Sequence, residues 1–258
     1  MLYFQSWSGG KDSTASIILE HIHGLPKSKI IMSEVMFDKK RNISGELPEH
    51  MEWVHNTAIP IFQSWGYEVD ILRADKDYLD LFFHTVEKTK IPERKGKLVG
   101  FVLGGMCAAN RDLKIKPINA FHKNVKDDFI QYVGIAADEP NRLERLHGTN
   151  KVSLLKRYGY TEQMAFNLCK EYGLLSPIYN FSKRGGCWFC PSKTIKEYAH
   201  TKSKYPELWE ELRNLSFSDN LVSQNFKYGK TFAEVDRDVD IYLNNLEFEK
   251  SQLTLFNN

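Results

Sequence analysis

Ser8-Gly9-Gly10-Lys11-Asp12-Ser13-Thr14 stands between a short apolar run and a helical pattern, and its reading decides the fold. Tyr3, Phe4 and Trp7 lead in, and Ala15, Ile17, Ile18 and Leu19 follow as an apolar helix face. Strand, tight turn and helix is the implied order. Two adjacent glycines let the backbone aim its N–H groups at an anion with no Cβ in the way. A helix starting at Asp12 or Ser13 points its positive end at the same place, and Lys11 adds a full charge. The stretch reads as a phosphate cradle, the alternative being a glycine-rich β-to-α turn that binds nothing. It is not a Walker A loop, which needs four residues between its first glycine and the Gly-Lys pair.

Working outward, Ile30 to Phe37 reads as a buried second strand ending at Asp38. Gly45, Pro48 and Glu49 open a helix through Met51, Val54, Ile59 and Phe62, which Gly66 stops. Glu68 to Arg73 is a third strand and Ile130 to Asp138 a fourth, with Glu139, Arg142 and Arg145 on a helix behind it. This alternation predicts an α/β fold with a Rossmann-like, open, mostly parallel sheet that binds ligands at the carboxyl ends of its strands. Phe37 and Asp38 then lie where a nucleotide base and ribose would sit, although Phe37 reads equally well as core. Arg111, Lys114 and Lys116 bring three cations together before Pro117. On a helix Arg111 and Lys114 share a face and could clamp a phosphate or sulfate, a solvated face being the ordinary alternative. Beyond Thr149 helical patterns take over, at 161–172, 194–201, 206–215 and 231–244. They predict a nucleotide-binding α/β domain over residues 1–149 and a helical C-terminal cap over 150–258.

Composition narrows the class. At 258 residues, 42% hydrophobic and 26% charged, the chain is ordinary for a soluble globular protein. Its longest near-apolar run, Leu98 to Ala109, is twelve residues with three glycines, too short for a membrane span. The start lacks the basic and long apolar regions of a signal peptide, so a cytoplasmic location is expected. Net charge is only +2, but from Glu87 to Lys126 ten Lys or Arg residues face three acids. That stretch admits a nucleic-acid partner; Lys88 to Lys97 by itself reads as a solvated, partly mobile loop.

Four cysteines in a reducing compartment argue for metal or redox chemistry rather than structural disulfides. In Arg184-Gly185-Gly186-Cys187-Trp188-Phe189-Cys190-Pro191 two glycines relax the backbone ahead of a C-x-x-C pair. Three chemistries compete. Cys107, Cys187 and Cys190 could hold a [4Fe–4S] cluster. Cys187 and Cys190 could hold Zn²⁺, completed by Cys107, Cys169 or His200. A thioredoxin-like dithiol is the third. Cys169 itself reads as a core residue.

The compact Ser-Gly-Gly-Lys-Asp-Ser resembles the pyrophosphate loop (PP-loop) of the N-type ATP pyrophosphatase, or adenine nucleotide alpha hydrolase, superfamily. Pro48-Glu49-His50 resembles the Pro-Glu-Thr element of phosphoadenosine phosphosulfate (PAPS) reductases. Cys107-x3-Arg111-x-Leu-Lys114-x-Lys116-Pro117, followed by Gly134-Ile-x-x-Asp138-Glu139-x-x-Arg142, resembles the same branch, so the likeness covers about the first 145 residues. It implies that Ser8, Gly9, Gly10, Lys11, Asp12, Ser13, Thr14, Phe37, Asp38, Arg111 and Lys114 bind ATP or a related adenine nucleotide with Mg²⁺. Catalytic roles would fall to Lys11, Asp12, Asp138 and Arg142. Adenylylsulfate reductases of this kind carry a Cys-Cys pair where this chain has Cys107-Ala108, which fits a three-cysteine cluster site.

The resemblance implies a PAPS reductase-like enzyme that carries out sulfur transfer or acceptor adenylation, with an unnamed sulfur donor or acceptor. True sulfonucleotide reductases use a cysteine in a C-terminal Glu-Cys-Gly-Leu-His-like element, whereas the last cysteine here is Cys190. Reduction is therefore the alternative, together with a non-catalytic nucleotide- or DNA-associated module built on structural zinc. Gln252-Leu-Thr-Leu-Phe256 resembles the pentapeptide that grips the DNA sliding clamp, or else docks on the protein's own surface.

Overall fold

A computed structural model describes residues 1–103 and 107–256, with the side chains at 250, 251 and 253–256 outside the described set. The clamp-like residues Leu253 to Phe256 therefore lie outside the described side chains. The chain forms two compact units interleaved along the sequence: residues 1–36, 46–75 and 112–185, and residues 37–45, 76–111 and 186–258. The expected division at 149/150 differs from this because residues 151–152 add a strand to the sheet, and the helix Glu162–Glu171 packs on the helix that follows the first loop.

The first unit holds a five-stranded sheet of β1 (Leu2–Trp7), β2 (Lys29–Glu34), β3 (Val69–Arg73), β4 (Phe129–Val133) and β5 (Lys151–Val152). All pairings are parallel and the order is β3-β2-β1-β4-β5. The fold is α/β, consistent with a Rossmann-like open sheet. Successive strands step one way from β1 to β3, and β4 returns to the other side of β1. The loops after β1 and β4 therefore leave in opposite directions and open a crevice at the strands' carboxyl ends.

Helix α1 (Lys11–Ile22) follows β1 and is buried from Ser13 to Glu20 on every side. A helix buried all round is a core element. Ile17, Ile18 and Leu19 each contribute about 1.5–3 kcal/mol by leaving water. Its polar members are satisfied by hydrogen bonds: Ser16 Oγ donates to Gln5 Oε1 at 3.3 Å, and Trp7 Nε1 donates to Thr14 Oγ1 at 2.9 Å. The opposite face of β1 carries Phe4, whose ring meets Phe121 of the helix Lys116–Lys123 edge-on at 5.4 Å. Helices thus cover both faces of the sheet. The expected helix after Pro48 runs through Ser64 with a π-helical turn at Val54–Ala58, ahead of Pro60, which lacks an N–H to donate.

In the second unit, helices Ile195–Lys204, Pro206–Ser216 and Phe232–Phe256 match the helical patterns read beyond Thr149. Thr194 and Glu197 form a reciprocal capping box at the first of these. Trp209, Leu212, Phe226, Phe232 and Val235 fill the space between them. Among the described residues, no helix is long and apolar enough to cross a membrane.

Glu20 is fully buried in the first unit, where its carboxylate accepts the Ser28 N–H at 2.6 Å and the Ser28 hydroxyl at 2.8 Å. Burial pushes its pKa up to about 7 against those hydrogen bonds. The folded state therefore holds this proton more tightly than the unfolded chain. Its contribution to stability is full below about pH 4.5 and is lost as pH rises toward about 7. Urea unfolding at pH 5 and pH 8 should show Glu20→Gln removing a pH-dependent loss on the order of 3 kcal/mol from the native profile. Parallel profiles for the two proteins would contradict this.

Candidate functional site

The loop after β1 turns on Gly9, whose φ of +70° is left-handed. A Cβ there would lie 2.5 Å from both Cε1 and Nε2 of His50. Gly134, just past β4, is closer still: its Cβ would stand 2.4 Å from the Ser13 nitrogen and 2.6 Å from the Ser13 Cα. Only glycine lets the end of β4 touch the backbone where α1 begins. These contacts set the loop in the crevice beside β1.

Hydroxyls line the loop. Ser13 Oγ accepts the Ser8 N–H at 3.2 Å and donates to the Gly10 carbonyl at 3.0 Å. Ser8 Oγ accepts the Gly10 N–H at 3.4 Å, and the Tyr179 hydroxyl accepts the Lys11 N–H at 2.8 Å. Thr14 is fully buried behind the loop. The Ser8, Gly10 and Lys11 N–H groups thus have hydroxyl oxygens as partners, which an oxyanion at the start of the helix would have to replace.

The charged rim is assembled from both strand ends. Lys11 Nζ donates to both Asp12 oxygens at 3.0 Å and to Glu162 Oε2 at 3.1 Å. Burial works against the Lys11 charge, but the bonds to Asp12 and Glu162 outweigh it and hold the pKa above its ordinary value. Burial raises the Asp12 pKa; Lys11 opposes the rise, while Glu162 and Glu139 add to it. Asp138 Oδ1 accepts the Glu162 N–H at 3.1 Å, which ties the helix Glu162–Glu171 to the end of β4. Glu139 Oε2 accepts the Ala136 N–H at 3.0 Å, and Glu139 Oε1 takes the Arg142 guanidinium at 2.6 Å. Lys11, Asp12, Asp138 and Arg142 thus lie in the first unit within one electrostatic neighbourhood, with Arg142 engaged by Glu139.

Residues outside the expected set complete it. His50 Nδ1 shares a hydrogen bond with Ser176 Oγ at 2.8 Å, and the ring buttresses Gly9. Burial is the main cause that depresses the His50 pKa, and Lys114 adds to it against Glu46 and Glu49. Lys114 itself pairs with the buried Glu46 at 3.8 Å, so it reaches the loop electrostatically through His50. Cys169 Sγ donates to the Lys11 carbonyl at 3.2 Å, and burial raises its pKa to about 12. It is a core thiol at the loop, as its sequence context suggests. Glu162, Ser176 and Tyr179 carry no local motif, and only the tertiary fold brings them to the loop.

The remaining expected residues belong to the second unit. Phe37 is fully buried among Tyr78, Trp188 and Phe189, at ring separations of 5.5, 4.6 and 5.5 Å, which gives it the core role. Asp38 accepts Arg41 Nε at 2.6 Å, and the Arg41 fork closes on both Glu211 oxygens at 2.6 and 2.7 Å. The Arg41 hydrogen bond holds the Asp38 carboxyl below its usual range. Arg111 lies in the π-helical stretch Ala109–Ile115, and its N–H donates to the Cys107 carbonyl at 3.0 Å.

Cys187 and Cys190 flank a tight turn closed by Cys190 N–H to Cys187 O at 3.1 Å. Trp188 Nε1 donates to the Ser44 carbonyl at 2.8 Å, and Tyr198 donates its hydroxyl to the Cys190 carbonyl at 2.7 Å. Cys107 Sγ accepts the Asn110 N–H at 3.4 Å. None of the four cysteines, all of them among the described residues, is in a disulfide. Burial is the main cause that keeps the Tyr78 hydroxyl protonated, against its hydrogen bond with the Val102 backbone, and Cys187, Cys107 and Cys190 add to it. Among the described residues, however, no three His, Cys, Asp or Glu side chains are close enough together to hold a metal ion.

The Gly9 contact is open to direct test. Gly9→Ala adds a left-handed alanine and a clash with His50, and should cost about 2–4 kcal/mol in chemical denaturation. Combined with His50→Ala, the clash term should vanish and leave about 1–2 kcal/mol from the backbone, relative to His50→Ala alone. Strict additivity of the two changes would show that His50 does not press on the loop.

No protein-family model, curated protein or solved structure matches the chain. Its chemistry is read from its own side chains.

Proposed function

We propose that this protein is a PP-loop enzyme of the N-type ATP pyrophosphatase kind, similar to PAPS reductases, which binds ATP or a related adenine nucleotide and adenylates or thiolates an acceptor. One observation carries the reading: Gly9, Gly10 and Lys11 turn at the crevice where the strand order reverses, against a β4 end brought close by Gly134. A pyrophosphate there would take N–H donors from the loop and the start of α1. Lys11 would exchange its carboxylate partners for phosphate oxygens. Charge developing on the leaving group would then be met by Lys11 and by loop N–H groups that give up their hydroxyl partners.

Adenylation balances simply. An acceptor oxygen bonds the α-phosphorus, the bond to the bridging oxygen breaks, and the electron pair leaves with pyrophosphate. A sulfur nucleophile would then bond the acceptor carbon that carries the adenylated oxygen, the C–O bond would break, and AMP would leave with that oxygen. Asp12, Asp138, Glu139 and Glu162 are the carboxylates that would hold a Mg²⁺ brought in with ATP, and the ion would neutralise phosphate charge; among the described residues they form no ion cage by themselves. The Cys107, Cys187 and Cys190 set is proposed as the holder of a [4Fe–4S] cluster, with Zn²⁺ as the rival. The resemblance supports that set, and its thiols would have to close up to ligate, since among the described residues no three such side chains stand close enough to hold a metal ion. A cluster would supply redox or sulfur-handling chemistry.

Calorimetric titration of ATP and AMP into the purified chain tests the cradle. ATP should bind more tightly than AMP, and Lys11→Ala should weaken ATP at least about 10-fold while leaving AMP nearly unchanged. Equal ATP affinity in the two proteins would remove the assignment. Elemental analysis of anaerobically prepared protein should give iron in excess of zinc, and Cys187→Ser should abolish its retention. Stoichiometric zinc alone would replace the cluster with a structural metal.

A further inference from the structure

The basic stretch read as a partly mobile loop is a hairpin with a fixed neck. In the second unit, Gly100 N–H donates to Phe82 O at 3.0 Å, Val99 N–H to His84 O at 3.0 Å, Val86 N–H to Lys97 O at 2.8 Å, and Gly96 N–H to Val86 O at 2.9 Å. Gly96 and Gly100 supply left-handed turns, at φ of +79° and +77°. The returning arm is also stitched to a neighbouring segment. Leu98 N–H donates to Asn220 O at 2.9 Å, Val222 N–H to Leu98 O at 2.8 Å, and Asn220 Nδ2 to Gly96 O at 3.0 Å.

Beyond this neck, Lys88, Lys90, Arg94 and Lys95 are exposed and Lys97 is half-buried. Among the described residues none of these five has an ion-pair partner, whereas Lys11, Arg41, Lys202 and Arg213 are all engaged by carboxylates. Glu87 and Glu93 are the acids within the stretch and Asp219 adjoins Asn220 at the neck, and the five cations outnumber them. Exposed aromatic residues occur within the neck and, along the chain, on either side of the segment 220–222 that is stitched to it. Phe83 is 47% exposed, Phe217 is 74% exposed, and Tyr228 is 93% exposed at the turn of the hairpin Asn225–Lys227/Lys230–Thr231. Phe217 lies three residues before Asn220, hence within about 11 Å of the neck along the chain. Tyr228 follows Phe226, whose ring meets Phe101 beside the neck at 5.0 Å.

Unneutralised cations on a pre-ordered hairpin attract a polyanion without the entropic cost of ordering the loop. Exposed flat rings give that polyanion something to stack on. We propose that this hairpin and its flanking aromatics form a docking surface for single-stranded nucleic acid, in which Lys88, Lys90, Arg94 and Lys95 track phosphates while Phe217 and Tyr228 stack on bases. The surface names the acceptor class for the adenylating or thiolating reaction, and in that respect it rests on the proposed function. A membrane fits less well, because between Lys88 and Lys95 only Ile91 and Pro92 are apolar.

Fluorescence anisotropy of the full chain with labelled single-stranded DNA and RNA of roughly 16 nucleotides tests the surface. Affinity should fall with salt, at a log–log slope of about −2 to −3 for three to four phosphate contacts. Joint reversal of Lys88, Lys90, Arg94 and Lys95 to Glu should weaken binding at least about 10-fold and flatten the slope. Phe217→Ala with Tyr228→Ala should weaken it several-fold at unchanged slope. ATP affinity, measured in parallel, should stay the same in every variant. Oligonucleotide binding that survives charge reversal, no binding at low salt, or binding only to phosphatidylserine vesicles would each overturn the proposal. If ATP still binds in those cases, the phosphate cradle stands without the docking surface. Oligonucleotide binding in a chain that fails to bind ATP would keep the docking surface and remove the cradle.

Discussion

The first unit depends on one backbone-to-backbone approach. Gly134 puts the end of β4 against the amide of Ser13 at a separation that leaves no room for a Cβ. That contact sets where α1 begins relative to β4, and everything after Gly134 inherits its position: Asp138 caps the helix Glu162–Glu171, and Glu162 returns to Lys11. The charges of the rim are therefore placed by a steric contact rather than by their own attraction. Partly exposed ion pairs hold geometry weakly, whereas close-packed backbone holds it firmly.

The second unit solves a different problem. Its small strands, Met36–Asp38 and Ile43–Ser44, offer little backbone pairing, and aromatic packing does the rest. Phe37, Tyr78, Trp188 and Phe189 interlock at separations between 4.0 and 5.5 Å, in tilted and stacked pairs. The residues between Cys187 and Cys190 are two of these anchors, so the spacing that sets the thiols apart also fixes their backbone in the core. The aromatic pair in the C-x-x-C is thus a scaffold for the turn, whichever chemistry the sulfurs perform.

The centres of β1 to β4 and the major helices were legible because each carries its own periodicity, but the ends were not. The second strand, read through Phe37, stops at Glu34, Met36–Asp38 pairs with Ile43–Ser44 in a separate sheet, and the fourth, read through Asp138, stops at Val133. Lys151–Val152 escaped notice because two residues carry no period; the strand exists only because β4 offers it an edge. In the site, Ser8 to Thr14 announced itself through local conformation and charge. His50, Ser176 and Tyr179 did not, since their roles come from contacts across 41 to 168 residues of chain. The neck of the basic hairpin was hidden for the same reason: composition shows its charge, while the backbone bonds that steady it depend on register and on a segment beginning at Asn220.

The interleaving of the two units has a consequence for how this protein can be made and unmade. The chain passes between them at 36/37, 45/46, 75/76, 111/112 and 185/186. No single cut separates one from the other, and neither is a contiguous module that recombination could transplant whole. Synthesis must run past residue 186 before the second unit has its three long helices, while its first piece, residues 37–45, emerges early and must wait. Co-translational folding is then weighted toward the end of the chain, and a product that stops short of residue 185 leaves both units incomplete rather than one finished and one missing.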